Sequence, residues 1–553
     1  MSSTLYLHVG QAGNEIGSAF WRLAAAEKPP KRWLFDERGR ARLVLVDTEP
    51  KVVRGVVRSL GDERVHPRCA LVEQSGRGNN WAMGFHGTGT GAPGAPSIAD
   101  AALEALRWQW ERCDSCNGLV MCHSLGGGTG SGLGSLLLQE LRDEHPRHYL
   151  TSLAVGPFAG GELPLSAYNS ALSLSFVQEH CDAVLLFDNS QLLRQLQSAA
   201  ATATHAAAAK LPPRLCMAQL DAYVADTLAG LTFPTDGVRG RRPFDAGELV
   251  GSVCPMGAMK MLQLSTAPSA PRVAPPLGGG GGGSGGSGGG SGGAGAGGGS
   301  STGGGVGGRP PPTKPPPAWA SVVAEAVERV PRYDLHQRPV VTLCTQVCRA
   351  YSVHAPCMHH ACTMRAPCTH TVHTPPCAHR TTRTQAIARG VGCEPPDVRS
   401  QARLQQVLGP SPCTPRPLEW KLSTSVATAL PAAGTPRTLT LVSNRCSVAP
   451  LIEQSLLRVQ LQLGARAYLH HYERHGVGAD YVHERIELVQ AVVDDYNAAA
   501  ARAGGGRRAE ARSPGAATSP ASREPPDRGP GLVERLERMA SPGSSATVVR
   551  HYG

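Results

Sequence analysis

No run of about eighteen consecutive apolar residues occurs in the chain, so no membrane-spanning helix is expected. The opening MSSTLYLHVGQ has no basic segment followed by a long apolar stretch, and no secretory signal is expected. Without such a signal, the 16 cysteines read as reduced cytosolic thiols and not as a disulfide framework. Basic residues are in modest excess, 54 Lys and Arg against 43 Asp and Glu for a net charge of +11. The arginines are scattered and form no single stripe, which argues against a nucleic-acid partner. The chain's richest glycine loop has no Lys-Ser/Thr after it, which excludes a Walker phosphate loop. It also does not follow the first strand, which excludes the dinucleotide fingerprint.

A chain of 553 residues is long enough for two packed domains, but its composition is uneven. Residues 1–265 alternate between apolar strands and helical patterns. TLYLHV, ARLVLVDTEP, GLVMCHSL, YLTSLAV and AVLLFDN read as strands. Ile16, Phe20 and Leu23 mark the buried face of one helix, and Leu133, Leu137 and Leu141 that of another. Ser97 and Asp100 have the spacing of a capping box that opens a helix through Trp110. This alternation predicts a parallel sheet covered on both faces.

Residues 266–317 are rich in Gly, Ser and Pro, with 278–308 almost pure Gly and Ser, and are expected to be a flexible insertion. Order is expected again over 318–348, with a helix in WASVVAEAVERV and a strand in PVVTLCTQV. Residues 349–383 hold Cys, His, Thr and Pro in near-repeats with no apolar periodicity. Their cysteines and histidines lack the tight fixed spacings of a structural zinc site, so the segment is expected to be a low-complexity insertion. Residues 384–446 carry a strand in TLTLVSN, and 447–500 carry amphipathic helices over Leu451–Leu463 and Tyr481–Tyr496. The Gly, Pro, Ser and Arg of 501–553 are expected to form a disordered tail.

The main chemical signal is Gly126-Gly127-Gly128-Thr129-Gly130-Ser131-Gly132, set between a strand ending near Ser124 and a helix. Glycine lets successive backbone N–H groups turn toward one anion, and the helix N-terminus adds partial positive charge. Thr129 and Ser131 offer hydroxyls. The first strand has its own loop, GQAGNEIG over 10–17, and GRGNNWAMG over 76–84 is a third. Three such loops in one sheet predict a grip on several edges of a phosphate chain.

GQAGNEIG, VDTEP, GRGNNWAMG, HSLGGGTGSGLG and AYNSALSL, in this order, resemble the tubulin family. The resemblance implies an α/β chain with a parallel-sheet GTP-binding domain, a smaller α+β intermediate domain and C-terminal helices. It implies GTP or GDP with Mg²⁺ as ligands. It places Gly10, Gln11 and Asn14 in the first phosphate loop, with Asn80, Ser124 and the 126–131 residues in the others. Asp47 and Glu49 fall where the family approaches the γ-phosphate and its metal. Glu162 falls at the ribose, Asn169 at guanine, and Asp221 at a second guanine contact where Asn is usual. Ser166 departs from an acidic ribose contact. Glu248 falls where one subunit completes the hydrolytic site of the next, which implies a slow assembly-coupled GTPase. Within the family, DTEPKVV and ARAYLHHYERHGVGADYVHERIELVQAVVDDY are most similar to the delta type, with epsilon next and zeta open. The resemblance therefore implies a cytoplasmic, cytoskeletal protein of centrioles, basal bodies and cilia, with other tubulins and centriole proteins as partners. The alternative is a guanine-nucleotide-binding regulator of microtubules that does not polymerise.

Deletion of residues 349–383 is expected to leave folding and nucleotide binding unchanged, because the segment has no core-forming pattern. Thermal denaturation and nucleotide titration of the deletion variant check this. Stoichiometric zinc, with stability lost on chelation, is the contrary result.

Overall fold

The computed structural model describes residues 3–26, 33–87, 96–158, 163–202, 215–237, 240–254, 256–267, 319–328, 342–345, 385–390, 421–425 and 437–510. Glu162 and the insertions at 278–308 and 349–383 lie outside them.

The first half folds as its strand and helix patterns direct. Strand β1 (Ser3–Val9) is buried along its whole length, as a strand covered on both faces should be. Helix α1 (Gly10–Ala26) follows directly and buries Ile16, Phe20 and Leu23. Strand β2 (Leu43–Asp47) leads into α2 (Pro50–Leu60), which starts on a proline whose missing N–H costs nothing there and ends at Gly61, φ +94°. After β3 (Ala70–Val72) and the short α3 (Trp81–His86) comes α4 (Ile98–Glu111). Its capping box is complete: Asp100 N donates to Ser97 Oγ at 3.1 Å, and Ser97 N donates to Asp100 Oδ2 at 3.0 Å. Then follow β4 (Cys116–Ser124), α5 (Gly134–Glu144), β5 (Tyr149–Gly156), α6 (Ser166–His180), β6 (Ala183–Asp188), α7 (Asn189–Thr202) and α8 (Met217–Thr232).

These strands lie in the order β3-β2-β1-β4-β5-β6 and every neighbouring pair is parallel. The order reverses between β1 and β4. Right-handed crossovers then put α1 and α2 on one face and α5 and α6 on the other. At such a switch point the helices diverge and leave a crevice at the carboxyl ends of the strands. The loops after β1 and β4 are the two glycine loops, so the topology brings them side by side at that crevice.

The core between α1, α8 and the sheet is aromatic. Phe20 contacts Tyr6, Trp21 and Phe233 at ring separations of 5.0–5.6 Å, and Trp21 reaches Phe35 at 5.6 Å. Emptying such a ring site costs about 3–5 kcal/mol.

The second half extends the same sheet. After a small hairpin, β7 (Thr235–Gly237) with β8 (Gly240–Arg242), come α9 (Ala246–Val253) and β9 (Met261–Ala267). Strand β9 joins β6 in parallel through Val184↔Met261 and Leu185↔Leu262. Helix α10 (Trp319–Glu328) and strands β10 (Thr342–Thr345), β11 (Gln385–Gly390), β12 (Lys421–Ser425) and β13 (Arg437–Arg445) follow. Strand β13 is antiparallel to β9, β10 and β11, so the parallel sheet becomes mixed at this edge. The α/β class with an α+β extension is thus as the sequence implies.

The chain closes with α11 (Ala449–Gly464), the single-turn α12 (His470–Glu473) and α13 (Ala479–Glu510). Helix α13 continues to Glu510, past residue 500, where the composition suggested a tail. Once a helix is nucleated each added residue brings its own hydrogen bond, and the alanines at 498–501 carry it on. Residues Met1–Gly506 form one compact unit and Arg507–Gly553 a second, of which only 507–510 are described. Among the described residues no helix is long and apolar enough to cross a membrane.

Candidate functional site

The glycine loop after β4 is the centre of the site, and its neighbours hold it by backbone contact. A Cβ on Gly132 would lie 2.7 Å from Gly84 Cα and one on Gly84 would lie 2.9 Å from Gly132 Cα. Only glycine on both sides permits that approach. A Cβ on Gly128 would meet the Arg77 carbonyl oxygen at 2.7 Å and Asn80 N at 2.8 Å. One on Gly10, whose φ is +73°, would meet Gly130 N at 2.8 Å. The loops at 10–17, 76–84 and 126–132 are therefore fused into one wall. Gly76 and Gly127 differ, since nothing lies within 4 Å of a Cβ built at either. Within the turn after β4, Gly127 is the point at which the wall is open.

Two buried histidines fix the wall from behind. His8 Nε2 accepts from Trp21 Nε1 at 3.0 Å, since an indole N–H only donates, and His8 Nδ1–H donates to the Gly13 carbonyl at 3.1 Å. His123 Nδ1–H donates to the Gly130 carbonyl at 3.0 Å, and its Nε2 accepts from Ser152 Oγ at 2.7 Å. Burial pushes both imidazoles down to about 4, so each is neutral. Sequence reasoning missed this pair. The available signal was a histidine just ahead of each of two glycine loops.

The expected ligand residues divide into those turned outward and those spent inside the protein. Gln11 is exposed, and its Nε2 donates to Glu15 Oε1 at 3.1 Å. Glu15 in turn shares a hydrogen bond with Asp221 of α8, which is 7% exposed. Burial, and then the nearby Glu15 charge, hold the Asp221 carboxyl well above the usual range. Asp221 Oδ2 has no hydrogen-bond partner among the described residues. Thr129 and Thr48 share a hydrogen bond of 2.6 Å that ties the loop after β2 to the glycine turn. In that loop Asp47 is buried and Glu49 exposed. Asp47 Oδ1 accepts from Thr48 N at 2.8 Å, while Oδ2 is buried with no partner among the described residues. Burial pushes Asp47 up to about 6, against backbone hydrogen bonds, with the charges of Glu49 and Glu15 raising it further. An orphaned carboxylate oxygen with a second carboxylate beside it is a donor set that fits a hard divalent cation. No group of three or more His, Cys, Asp or Glu that could hold a metal ion occurs among the described residues, so any such cation would take its remaining ligands from phosphate and water.

Five of the expected ligand residues hydrogen-bond within the protein. Asn169, expected at guanine, is completely buried and all four of its amide sites are used. Oδ1 accepts from Trp81 N at 2.8 Å and from the Tyr472 hydroxyl at 2.6 Å, and Nδ2 donates to the carbonyls of Asn79 at 2.7 Å and Gly126 at 2.9 Å. It is an internal tie between two loops and the C-terminal helices. Asn80 caps α3 by accepting from Ala82 N at 2.8 Å and donates to the His471 carbonyl at 2.9 Å. Asn14 is buried and donates to the Gly10 and Val46 carbonyls at 2.9 and 3.0 Å, while its Oδ1 has no partner among the described residues. Ser131 is buried, and its hydroxyl donates to the Gly127 carbonyl. Ser124 has a similar internal duty, accepting from Gly126 N at 3.2 Å. Each is an amide or hydroxyl that shapes the wall, and of the five only Asn14 keeps a buried side-chain atom without a partner among the described residues.

Glu248 stands apart. Its N–H donates to Asp245 Oδ1 at 3.1 Å in the first turn of α9. That helix packs at the start of β4 and β5, where Ala246 Cβ lies 3.1 Å from a Cβ built on Gly118 and Gly247 faces Tyr149. From Gly118 to Ser124 the strand rises about 20 Å, so Glu248 is at the opposite end of the sheet from the glycine loops.

Residues 3–197 match the Tubulin/FtsZ family, GTPase domain. The matched segment contains the three glycine loops and every strand from β1 to β6. Tubulin epsilon chain of Mus musculus is 34% identical over 220 residues, which covers 35% of this chain and 45% of that protein. The chain thus aligns with less than half the length of this curated relative. The relative is of the epsilon type, which the sequence analysis placed second to delta.

The cost of the buried Asp47 carboxylate is measurable. Its pKa is raised from 3.8 to about 6 in the fold, so the native state holds the proton more tightly and stability falls as pH rises through that window. Asp47→Asn is expected to stabilise the ligand-free chain by about 2–3 kcal/mol at pH 7, with the gain vanishing near pH 4. Urea denaturation of both proteins from pH 4 to 7.5 checks this. A gap that does not depend on pH would show that the carboxylate is not desolvated.

Proposed function

We propose that the chain binds GTP or GDP with Mg²⁺ at the β1/β4 switch point and acts as a tubulin-type cytoskeletal subunit. The observation that carries the reading is the open backbone at Gly127 in a turn whose other glycines, Gly126, Gly128, Gly130 and Gly132, all lie against protein. The phosphates would lie against Gly127 and the N-terminal end of the turn before α5. Asp47 and Glu49 would hold the cation, which neutralises phosphate charge when bound. Gln11 would reach the same phosphates from the start of α1.

The base is assigned to Asp221. A buried carboxylate that otherwise shares a proton with Glu15 gains two donors from guanine, N1–H and N2–H, as a bidentate pair. Adenine lacks that donor pair. Asn169 is the guanine contact implied by the family, and Asn189 is a second amide candidate: it opens α7 at the end of β6, is 7% exposed, and α7 packs against α8. Glu162 is retained as the ribose contact implied by the family. Glu248, at the far end of the sheet, would serve the site of a neighbouring subunit stacked with the same polarity, where a carboxylate can orient the attacking water. The family likeness supports other tubulins as partners and a cytoskeletal location. Centriole, basal body and cilium, and a delta, epsilon or zeta assignment, are the finer parts of this proposal. Diffuse cytosolic staining of the tagged chain in dividing ciliated cells would favour the non-polymerising regulator instead.

Two variants test the cradle. Gly127→Val is expected to fold normally and to lose at least tenfold in GTP affinity, about 1.4 kcal/mol. Gly132→Ala is expected to destabilise the fold itself, because the added methyl meets backbone. For the unmodified chain GTP is expected to outcompete ATP by well over tenfold, since a site built for guanine's donors leaves its own polar groups unpaired with adenine. Full affinity in folded Gly127→Val, or equal competition by ATP, would overturn the reading.

Glu248→Ala is expected to leave nucleotide binding intact and to slow hydrolysis only in assembled material. Phosphate release measured below and above the assembly concentration separates the two. Unchanged turnover in assemblies would return Glu248 to the surface.

A further inference from the structure

Cys113 and Cys116 lie in the sequence CDSC and have no part in the nucleotide reading. Cys113 lies two residues past the end of α4, its N–H donating to the Trp110 carbonyl at 3.0 Å. Cys116 opens β4, in register with Ser3 of β1. The three-residue step between helix end and strand start puts the two thiols within interaction range of each other. Cys113 Sγ donates to the Gln109 carbonyl at 3.3 Å and Cys116 Sγ to the Gly118 carbonyl at 3.5 Å, and both cysteines are free and partly exposed. Beside them is Arg42, 9% exposed. Its Nη1 donates to Cys113 Sγ at 2.9 Å and to the Arg112 carbonyl at 3.4 Å, and its buried Nε has no acceptor among the described residues. A buried guanidinium donating to sulfur stabilises negative charge on Cys113.

The remaining described cysteines lack this combination. Cys69, Cys122, Cys181, Cys254 and Cys446 are buried, and Cys216 is exposed. Burial pushes Cys69 up to about 11 and Cys181 and Cys446 up to about 12. In the CDSC pair the interaction with Cys113 draws Cys116 down to about 7, and the same interaction, with burial, holds Cys113 up.

We propose that Cys113 and Cys116 form a redox-active dithiol that takes low-molecular-weight disulfides as its oxidant. The Cys116 thiolate attacks one sulfur of the small disulfide. That S–S bond breaks, a mixed disulfide forms on Cys116, and the first small thiolate leaves and takes up a proton. Cys113 then loses its proton and attacks the Cys116 sulfur, with Arg42 stabilising the charge on Cys113. The mixed bond breaks and the second small thiolate leaves and is protonated. Two electrons pass to the small disulfide, and the two cysteine protons are balanced by those on the two released thiols. The product bridge ties the end of α4 to the start of β4, at the sheet end opposite the glycine loops.

The test treats the full chain with glutathione disulfide at pH 7, blocks free thiols by alkylation and maps the tryptic peptide that begins after Arg112 and ends at Arg142, which contains Cys113, Cys116 and Cys122. In the unmodified chain the peptide is expected to carry a Cys113–Cys116 bridge with Cys122 alkylated. Cys113→Ser is expected to accumulate glutathione on Cys116, because the second thiol is absent. Cys116→Ser is expected to react at least tenfold more slowly, and Arg42→Gln to slow closure of the bridge. Three alkylated cysteines in this peptide while Cys216 has taken up glutathione would overturn the proposal, as would a stable glutathione adduct on Cys116 in the unmodified chain. GTP binding measured on the same samples is independent of either outcome, so failure here does not touch the nucleotide reading.

Discussion

Backbone lies against backbone at the glycine wall, and the site is arranged around that contact. Gly84 and Gly132 meet with no space for a side chain on either, and Gly10 and Gly128 are pressed against neighbouring loops in the same way. Close approach of this kind takes away the freedom of three loops at once and, in the turn after β4, leaves the backbone open at Gly127. The loops come from strands that are adjacent only because the sheet reverses its order between β1 and β4. Topology supplies the crevice, and glycine makes it shallow enough for an anion to meet main-chain N–H groups.

The polar groups behind and around this wall differ in what they cost. His8 and His123 are buried but neutral, and each has both ring nitrogens hydrogen-bonded, so they hold the loops at little expense. Asp47 and Asp221 are buried carboxylates, each with an oxygen lacking a partner among the described residues. Such groups weaken an empty protein and are retained where a ligand satisfies them. The contrast sorts these residues more sharply than residue type does, since Asn80, Asn169, Ser124 and Ser131 have partners inside the protein while Asn14 Oδ1 has none among the described residues.

The two ends of the parallel sheet have different chemistry. One carries the glycine loops, Gln11, Thr129 and the carboxylates. The other carries α9 with Glu248 and the CDSC dithiol beside Arg42. A strand of seven to nine residues holds these ends roughly 20–30 Å apart, so neither can act on the other within one chain. An interaction between them would need either a second copy stacked end to end or a change carried through β4, which begins with Cys116 and ends at Ser124.

Much of the fold was legible in the sequence because its signals are local. Strand and helix alternation, the Ser97/Asp100 capping box, the apolar face of α1 and the glycine run between a strand and a helix each depend on neighbours within a few residues. The extent of α13 was underestimated because composition does not show how far a nucleated helix continues. The role of Asn169 could not be read locally: its four partners come from residues 79, 81, 126 and 472. Asn80 is likewise claimed by His471, and Glu15 gains its meaning only when α8 brings Asp221 beside it. The sequence by itself determined which elements form, their order and the presence of a phosphate-type loop. Only the tertiary structure decided which amides, hydroxyls and carboxylates face outward, because hydrogen-bond capacity is finite and it is long-range packing that determines which groups have already used theirs.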